Sequence, residues 1–238
     1  MTLRAIFLFL VTLTFAVAPF ITPPFTGYDP GRFPVSIPEP AVQPAGYAFS
    51  IWSVIYLWLI AHAAYGYWKR AHSMDWDAVR LPLIASLILG TVWLAIAGLY
   101  PLLATVGILF MLAFAMVAFL QADEFYDRWM LSAPLAMYAG WLSAASAVSV
   151  GVLLGGYGLL TDTESTVVMI AIVLGVAGIV QWLRPYMPVY GLTVVWALIG
   201  ITVTNADSNV PVALIAAASA AAMAALTFYV WNKRRITL

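Results

Sequence analysis

Aromatic side chains concentrate in one uncharged stretch, GYAFSIWSVIYLWLIAHAAYGYW, at residues 46–68. With 100° between successive residues of a helix, Phe49, Trp52 and Tyr56 share one face. The flat faces of such rings suit stacking on a planar apolar ligand, although packing between helices is the more common role of any single ring. The chemistry that these residues could perform is therefore binding, to which Tyr56 or Tyr138 could add a directional hydrogen bond.

Residues for other chemistry are scarce. The chain has no cysteine, and its two histidines are His62 and His72. His62 is expected to hydrogen-bond a neighbouring carbonyl or hydroxyl, since no carboxylate is placed to complete a metal site. No P-loop, serine-nucleophile elbow or zinc-protease motif occurs in the sequence. We therefore predict no catalytic residue, no metal site and no required cofactor, and we consider enzyme activity the less favoured interpretation.

The composition places these residues in a membrane. Hydrophobic residues make up 64% of the 238 residues and charged residues 8%, with a mean hydropathy of +0.99. A water-soluble fold of this length could not bury so much apolar surface. The formal net charge of zero gives no indication of nucleic-acid binding. We predict an all-α integral membrane protein whose main partner is the lipid bilayer.

Eight apolar stretches are long enough to cross a bilayer, which takes roughly 20 residues of helix. The predicted spans are 5–22, 47–68, 81–99, 102–121, 130–155, 166–183, 189–204 and 210–231. Cytoplasmic loops carry an excess of lysine and arginine. With the amino terminus inside, nine of the ten basic residues fall on the inner face, and only Arg32 falls outside. This pattern predicts both termini in the cytoplasm and a location in the cytoplasmic (inner) membrane.

The first span also has the pattern of a secretory signal peptide, with Arg4, an apolar run and Ala-Val-Ala at 16–18. Pro19 follows at once and should hinder cleavage, and the apolar run is nearly long enough to cross the bilayer. We therefore expect the first helix to be retained.

Three polar connections and the tryptophans at the span ends carry separate expectations. Residues 23–46 hold seven of the 14 prolines, which predicts a stiff, extended loop with a turn at Asp29-Pro30-Gly31. This loop is either a connector or a lid over a cavity. The acidic segments ADEFYDR, residues 122–128, and TDTES, residues 161–165, are interpreted as solvated loops. Interfacial anchoring is expected of Trp68, Trp76, Trp129, Trp182 and Trp231.

The aromatic stretch resembles the second-helix signature of the TspO/translocator protein family, the tryptophan-rich sensory proteins. In that family a proline-rich loop leads into a helix with W-x-x-x-Y, and Trp52 and Tyr56 keep this spacing. Trp93 stands at the place of the family's third-helix tryptophan. The fifth-helix pattern Y-x-x-W-x-S-x-A is matched by Tyr138, Trp141, Ser143 and Ala145. The chain departs from the family in a first loop without tryptophan, and in Gly90 and Ser149, where the family has asparagines.

The resemblance implies a TspO-like five-helix bundle over residues 1–157, in which loop 23–46 covers a pocket for flat hydrophobic molecules such as porphyrins or sterols. Residues 158–238 would then add three transmembrane helices. The protein would act as a sensor or regulator that holds a porphyrin or haem-like ligand. The predicted ligand-binding residues are Phe49, Trp52, Tyr56, Trp93, Tyr138, Trp141 and Ser143.

Other functions remain open. A facilitative transporter of an apolar small molecule is one alternative, because no charged residue is predicted near the middle of any span, where ion-coupled transporters place one. A structural subunit of a membrane complex and an enzyme acting on the bound ligand are others. The small residues of ALIAAASAAAMAAL, 213–226, permit close helix packing, either within the chain or in a homodimer.

Overall fold

The computed structural model describes residues 2–23 and 25–235, without the side chains of 234 and 235. Its described residues form eight α-helices and no strand, and all eight helices are long and apolar enough to cross a membrane. The predicted all-helical class and the number of spans are thereby confirmed. The helices are α1 Thr2–Ile21, α2 Ile51–Trp68, α3 Met74–Ala97, α4 Pro101–Gln121, α5 Ser132–Gly156, α6 Asp162–Leu183, α7 Pro188–Asn205 and α8 Val210–Arg235.

Two predicted helix starts were wrong, because polar first turns are helical. Helix α3 begins at Met74 instead of residue 81, with Asp75 and Asp77 in its first turn, where the helix dipole favours negative charge. Helix α6 begins at Asp162 instead of residue 166. Thr161 and Glu164 form a reciprocal capping box there, which satisfies backbone N–H groups at the helix start. Hydropathy alone marks the apolar part of a helix and misses such ends.

The chain divides into two compact units. The first contains the residues up to Phe25 together with Ile51–Leu142, and the second contains Thr26–Ser50 and the residues from Ser143 onward. Helix α5 therefore contributes its first part to one unit and its second part to the other. The domain division predicted at residue 157 follows a different criterion, the length of the family resemblance, and stays a prediction.

In the first unit, α1 packs against α2 and α3, and α3 packs against α4. The Trp76 ring of α3 lies close to α2 at Gly66, because glycine has no side chain. A Cβ atom at Gly66 would lie 2.8 Å from the ring of Trp76, which is 2% exposed. Trp76 is therefore a buried core residue, and its interpretation as an interfacial anchor was wrong. Trp68 and Trp129 are 70% and 55% exposed, as anchors should be.

In the second unit, α8 packs against α6 and α7. The connection between α6 and α7 is held by the fully buried Gln181. Its Nε2 atom donates to the carbonyl oxygens of Arg184 at 3.0 Å and Met187 at 3.5 Å, and its Oε1 atom accepts from the Gly191 N–H at 2.9 Å. One amide thus satisfies backbone groups from the end of one helix and the start of the next, in a region where lipid could not do so.

Residues 26–50, which include most of the proline-rich loop, belong to the second unit. The predicted turn is confirmed: Pro30–Arg32 form a short 3₁₀ turn, and the Asp29 carboxylate accepts from the Gly31 N–H. Further along, the Ala41 N–H donates to both carboxylate oxygens of Asp162 at 3.1 Å, and the Ala41 carbonyl accepts from Asn205 Nδ2 at 2.8 Å. The interpretation of TDTES as a solvated loop was therefore wrong for Asp162, which fastens the loop to α6.

Candidate ligand-binding site

Four of the predicted binding residues meet in the first unit and form, with Phe15, what we call the ring cluster: Phe15, Trp52, Tyr56, Tyr138 and Trp141. Trp52 stacks on Tyr56 with 5.4 Å between ring centroids and 19° between ring planes. The ring of Trp141 stands at 85° to that of Trp52, 6.2 Å away, and Tyr138 stands at 61°, 6.4 Å away. These are the favourable stacked and edge-to-face geometries of aromatic pairs.

Helical spacing explains how two helices supply these rings. Trp52 and Tyr56 are four residues apart on α2, and Tyr138 and Trp141 are three apart on α5, so each pair shares one helix face. Tyr138 and Trp141 are 0% and 2% exposed, whereas Trp52 and Tyr56 are only partly buried. The α2 rings are thus the part of the cluster that an outside molecule can reach.

The fifth ring, Phe15 of α1, was not predicted. It is 3% exposed and stands edge-on to Tyr56, Tyr138 and Trp52 at centroid distances of 5.2, 5.9 and 6.1 Å. A Cβ atom at Gly90 would lie 2.5 Å from Phe15 Cε2. Gly90 therefore makes the room that this ring occupies.

The hydroxyl groups of the two cluster tyrosines differ in their partners. Ser86 Oγ donates to the Met111 carbonyl at 2.8 Å, so it accepts from the Tyr138 hydroxyl, 3.0 Å away. Within the described residues, neither the Tyr56 hydroxyl nor the Trp52 indole N–H forms a hydrogen bond. Tyr138 is consequently committed to the bundle interior, and the polar atoms of Trp52 and Tyr56 keep their capacity to bond a ligand.

Trp93 has a packing role in the structure. Its indole N–H donates to the Ala104 carbonyl at 2.7 Å, which ties α3 to α4. Phe25 stands edge-on to its ring at a centroid distance of 5.0 Å. The polar group of Trp93 is therefore already used within the protein.

The other two predicted residues, Phe49 and Ser143, belong to the second unit. Phe49 lies in a 3₁₀ segment, Gly46–Ser50, directly before α2, and is partly exposed. Ser143 is 4% exposed and shares a hydrogen bond of 3.0 Å with the hydroxyl of the buried Tyr190. Their role in ligand binding stays a prediction.

A small apolar cavity lies in the second unit, where Val42 of the loop faces α5, α6 and α7. Its volume is about 10 Å³, close to what one water molecule needs. The loop thus covers a cavity, but one far smaller than the 300–1,000 Å³ or so of typical ligand pockets. The lining includes Val42, Ala144, Ala147, Met169, Val173 and Ala197.

A second cluster in the first unit centres on Asp127, in the connection between α4 and α5. Its carboxylate accepts from Arg70 Nε at 2.6 Å, Trp76 Nε1 at 3.1 Å and the Tyr65 hydroxyl at 3.2 Å. The hydrogen bond from Arg70 holds the pKa of Asp127 below its usual range, and the same bond raises the pKa of Arg70. The interpretation of ADEFYDR as a solvated loop was wrong for Asp127, whose side chain is 17% exposed.

The Asp127 cluster also contains His62, which stacks on Trp76 with 4.8 Å between ring centroids. His62 Nδ1 lies 2.7 Å from the Met130 carbonyl, to which it must donate, as the sequence predicted. No group of three or more histidine or acidic side chains in the described part of the chain is placed to hold a metal ion. The Asp127 cluster therefore has a structural role: it connects α2 and α3 to the segment between α4 and α5.

These features define a multi-pass membrane protein with an aromatic cluster among its helices. Over residues 2–230 the sequence matches the TSPO-like protein family. The match covers nearly the whole chain, and the chain therefore belongs to this family, which confirms the resemblance seen in the sequence. The matched range includes α6, α7 and most of α8 as well as the first five helices. Neither a curated protein nor a solved structure matched the chain.

Proposed function

We propose that this protein binds a flat hydrophobic molecule, a tetrapyrrole such as a porphyrin or a sterol-like ligand, at the ring cluster and serves as a sensor or regulator. The observation that carries the proposal is the convergence of Trp52, Tyr56, Tyr138 and Trp141 in one unit. Family membership supports it. The distribution of basic residues supports an orientation with both termini in the cytoplasm.

The division of labour within the ring cluster also favours binding. The rings of Tyr138 and Trp141 are buried, and the partly exposed rings of Trp52 and Tyr56 offer flat faces. The latter two carry polar atoms without a partner among the described residues. Small-molecule sites usually combine an apolar surface with a few polar groups that are available to hydrogen-bond the ligand.

A sensory role fits the charges better than ion-coupled transport does. The buried arginine of α3, Arg80, is 1% exposed and donates to Asp77 at 3.0 Å and to the Arg70 carbonyl at 2.8 Å. A cation held in this way neutralises a local acid and caps a helix end. Arg80 is therefore not an unpaired charge in the middle of the membrane, which is what ion-coupled transporters use.

Titration of the purified protein with protoporphyrin IX, followed by the absorbance of the porphyrin, tests the proposal. This readout does not depend on how many tryptophans a variant retains. The test variant is Trp52→Leu with Trp141→Leu, and the matched control is Trp68→Leu with Trp129→Leu, two exposed tryptophans of the same unit. Circular dichroism and gel filtration establish that each variant is folded.

We expect saturable binding at micromolar concentration by the wild-type protein and by the control, and at least a tenfold loss in the test variant, about 1.4 kcal/mol. Equal loss in both double variants would assign porphyrin uptake to nonspecific contact with exposed rings. Absence of saturable binding by the wild-type protein to both a porphyrin and a sterol probe would overturn the proposal.

A further inference from the structure

One member of the ring cluster, Phe15 of α1, fills the space between three of the other rings. Phe15 contacts Trp52, Tyr56 and Tyr138 edge-on at 5.2 to 6.1 Å. These distances and angles are those at which an aromatic guest would be held by the same three rings. Phe15 also fills the space beside Gly90, where a Cβ atom on Gly90 would lie 2.5 Å from the Phe15 ring. The protein thus holds a phenyl ring where the proposed ligand would insert an edge.

The helix that carries Phe15 is weakened at that residue. Pro19 lies inside α1 and has no N–H, so it cannot donate to the carbonyl of Phe15, four residues before it. Kinks and hinges of helices occur at such prolines. Thr12 and Thr14 bond back to the carbonyls of Leu8 and Leu10, a pattern that further bends helices. One backbone hydrogen bond is therefore missing between Phe15 and Pro19, and α1 bends there at a lower cost than a regular helix would.

We propose that Phe15 is a displaceable plug, which a flat ligand replaces by inserting one ring into the cluster while α1 bends at Pro19. The inference rests on the proposed function, since it concerns the same site. The space that the Phe15 ring fills has room for one pyrrole ring of a tetrapyrrole or for one terminal ring of a sterol-like molecule. Ligand occupancy then sets the position of α1, which gives a sensor a movable element to report binding.

The direct test follows the Phe15 ring during binding. 4-Fluorophenylalanine is incorporated at position 15 and, as the matched control, at position 7 of the same helix, where Phe7 is 51% exposed. The fluorine resonance is recorded without and with saturating protoporphyrin IX, and saturation is established separately by porphyrin absorbance. Because the ring is retained, this experiment does not depend on a variant with a hole in its core.

We expect the resonance at position 15 to be shifted by the surrounding rings in the free protein and to move towards that of position 7 when porphyrin binds. Phe15→Leu keeps an apolar side chain but lacks the ring. It should bind porphyrin about tenfold or more tightly than the wild type, because the ligand no longer has to displace the Phe15 ring from the site. Pro19→Ala, which restores the helix ladder, should slow porphyrin association, measured by stopped flow, and Phe7→Leu should change neither quantity.

An unchanged resonance at position 15 in protein saturated with porphyrin would overturn the plug and leave the proposed function standing. So would porphyrin affinity in folded Phe15→Leu that is equal to or weaker than that of the wild type. If porphyrin is bound by neither the wild type nor Phe15→Leu, the proposed function fails and the plug fails with it. Binding by Phe15→Leu alone would support the plug, since the wild-type ring would then be blocking the site.

Discussion

The first unit leaves the polar atoms of Trp52 and Tyr56 without hydrogen bonds among the described residues, whereas the second unit pairs two buried serine hydroxyls with tyrosine hydroxyls. In the second unit Ser143 bonds Tyr190, and Ser149 bonds Tyr28 of the loop. Paired polar groups fix a bundle, and unpaired ones near the surface can serve a ligand. Under the proposed function, the second unit serves as the scaffold and the first unit binds the ligand.

Substitution of Gln181 should produce the largest loss of stability. Gln181→Leu leaves the Gly191 N–H and the carbonyls of Arg184 and Met187 without their partner in a buried site, at a cost of about 2–4 kcal/mol. Thermal unfolding in detergent measures the effect, with Gln121→Leu at the exposed end of α4 as control. Equal stability of the two variants would contradict the scaffold role of this side chain.

The first unit has its own structural anchor in Asp127, and Asp127→Asn should cost about 2 kcal/mol. Asparagine tolerates the left-handed backbone at this position, where φ is 50°, so the substitution isolates the charge. The control is Asp75→Asn on the exposed side of α3. A loss no greater than that of the control would mean that Arg70 and Trp76 hold the connection without the carboxylate.

The same carboxylate predicts a pH dependence. The pKa of Asp127 is lowered in the folded protein by Arg70, so the folded state favours the ionised form. Its stabilisation is therefore complete above the pKa of an unfolded aspartate, about 3.9, and is lost as pH falls through the lower folded value. Unfolding temperatures of the wild type and Asp127→Asn, measured from pH 6 downward, should converge at the acid end. A constant difference across that range would contradict this origin.

The features that depend on short-range spacing could be predicted from the sequence. Eight apolar stretches give eight helices, and the spacings of Trp52 with Tyr56 and of Tyr138 with Trp141 place each pair on one helix face. Phe15 was not singled out, because its ring partners Trp52, Tyr56 and Tyr138 lie on other helices, far along the chain. Asp127 was missed because its partners Arg70 and Trp76 lie 57 and 51 residues away along the chain. An acidic segment looks solvated until such distant partners are known.

Release of the proline-rich loop should have a smaller effect, confined to the second unit. Asn205→Leu removes the bond from Asn205 Nδ2 to the Ala41 carbonyl and should cost about 1–2 kcal/mol. Cleavage of the native protein by trypsin after Arg32, within this loop, should become faster than in the wild type and in the Asn232→Leu control. Unchanged cleavage would show that the other contacts of the loop, among them the bonds to Asp162 and Ser149, hold it without Asn205.

The smallest predicted effects separate the two tyrosines of the ring cluster. Tyr56→Phe removes a hydroxyl without a partner among the described residues, so stability should stay unchanged while porphyrin affinity falls about threefold to tenfold. Tyr138→Phe removes the hydroxyl that bonds Ser86, so it should cost about 1 kcal/mol of stability with affinity unchanged. Because the two variants differ from the wild type by one oxygen each, the pair compares binding with scaffolding inside a single cluster. The reverse result, lower stability for Tyr56→Phe and lower affinity for Tyr138→Phe, would place the ligand on the α5 side of the rings and exclude Tyr56 as its hydrogen-bond donor.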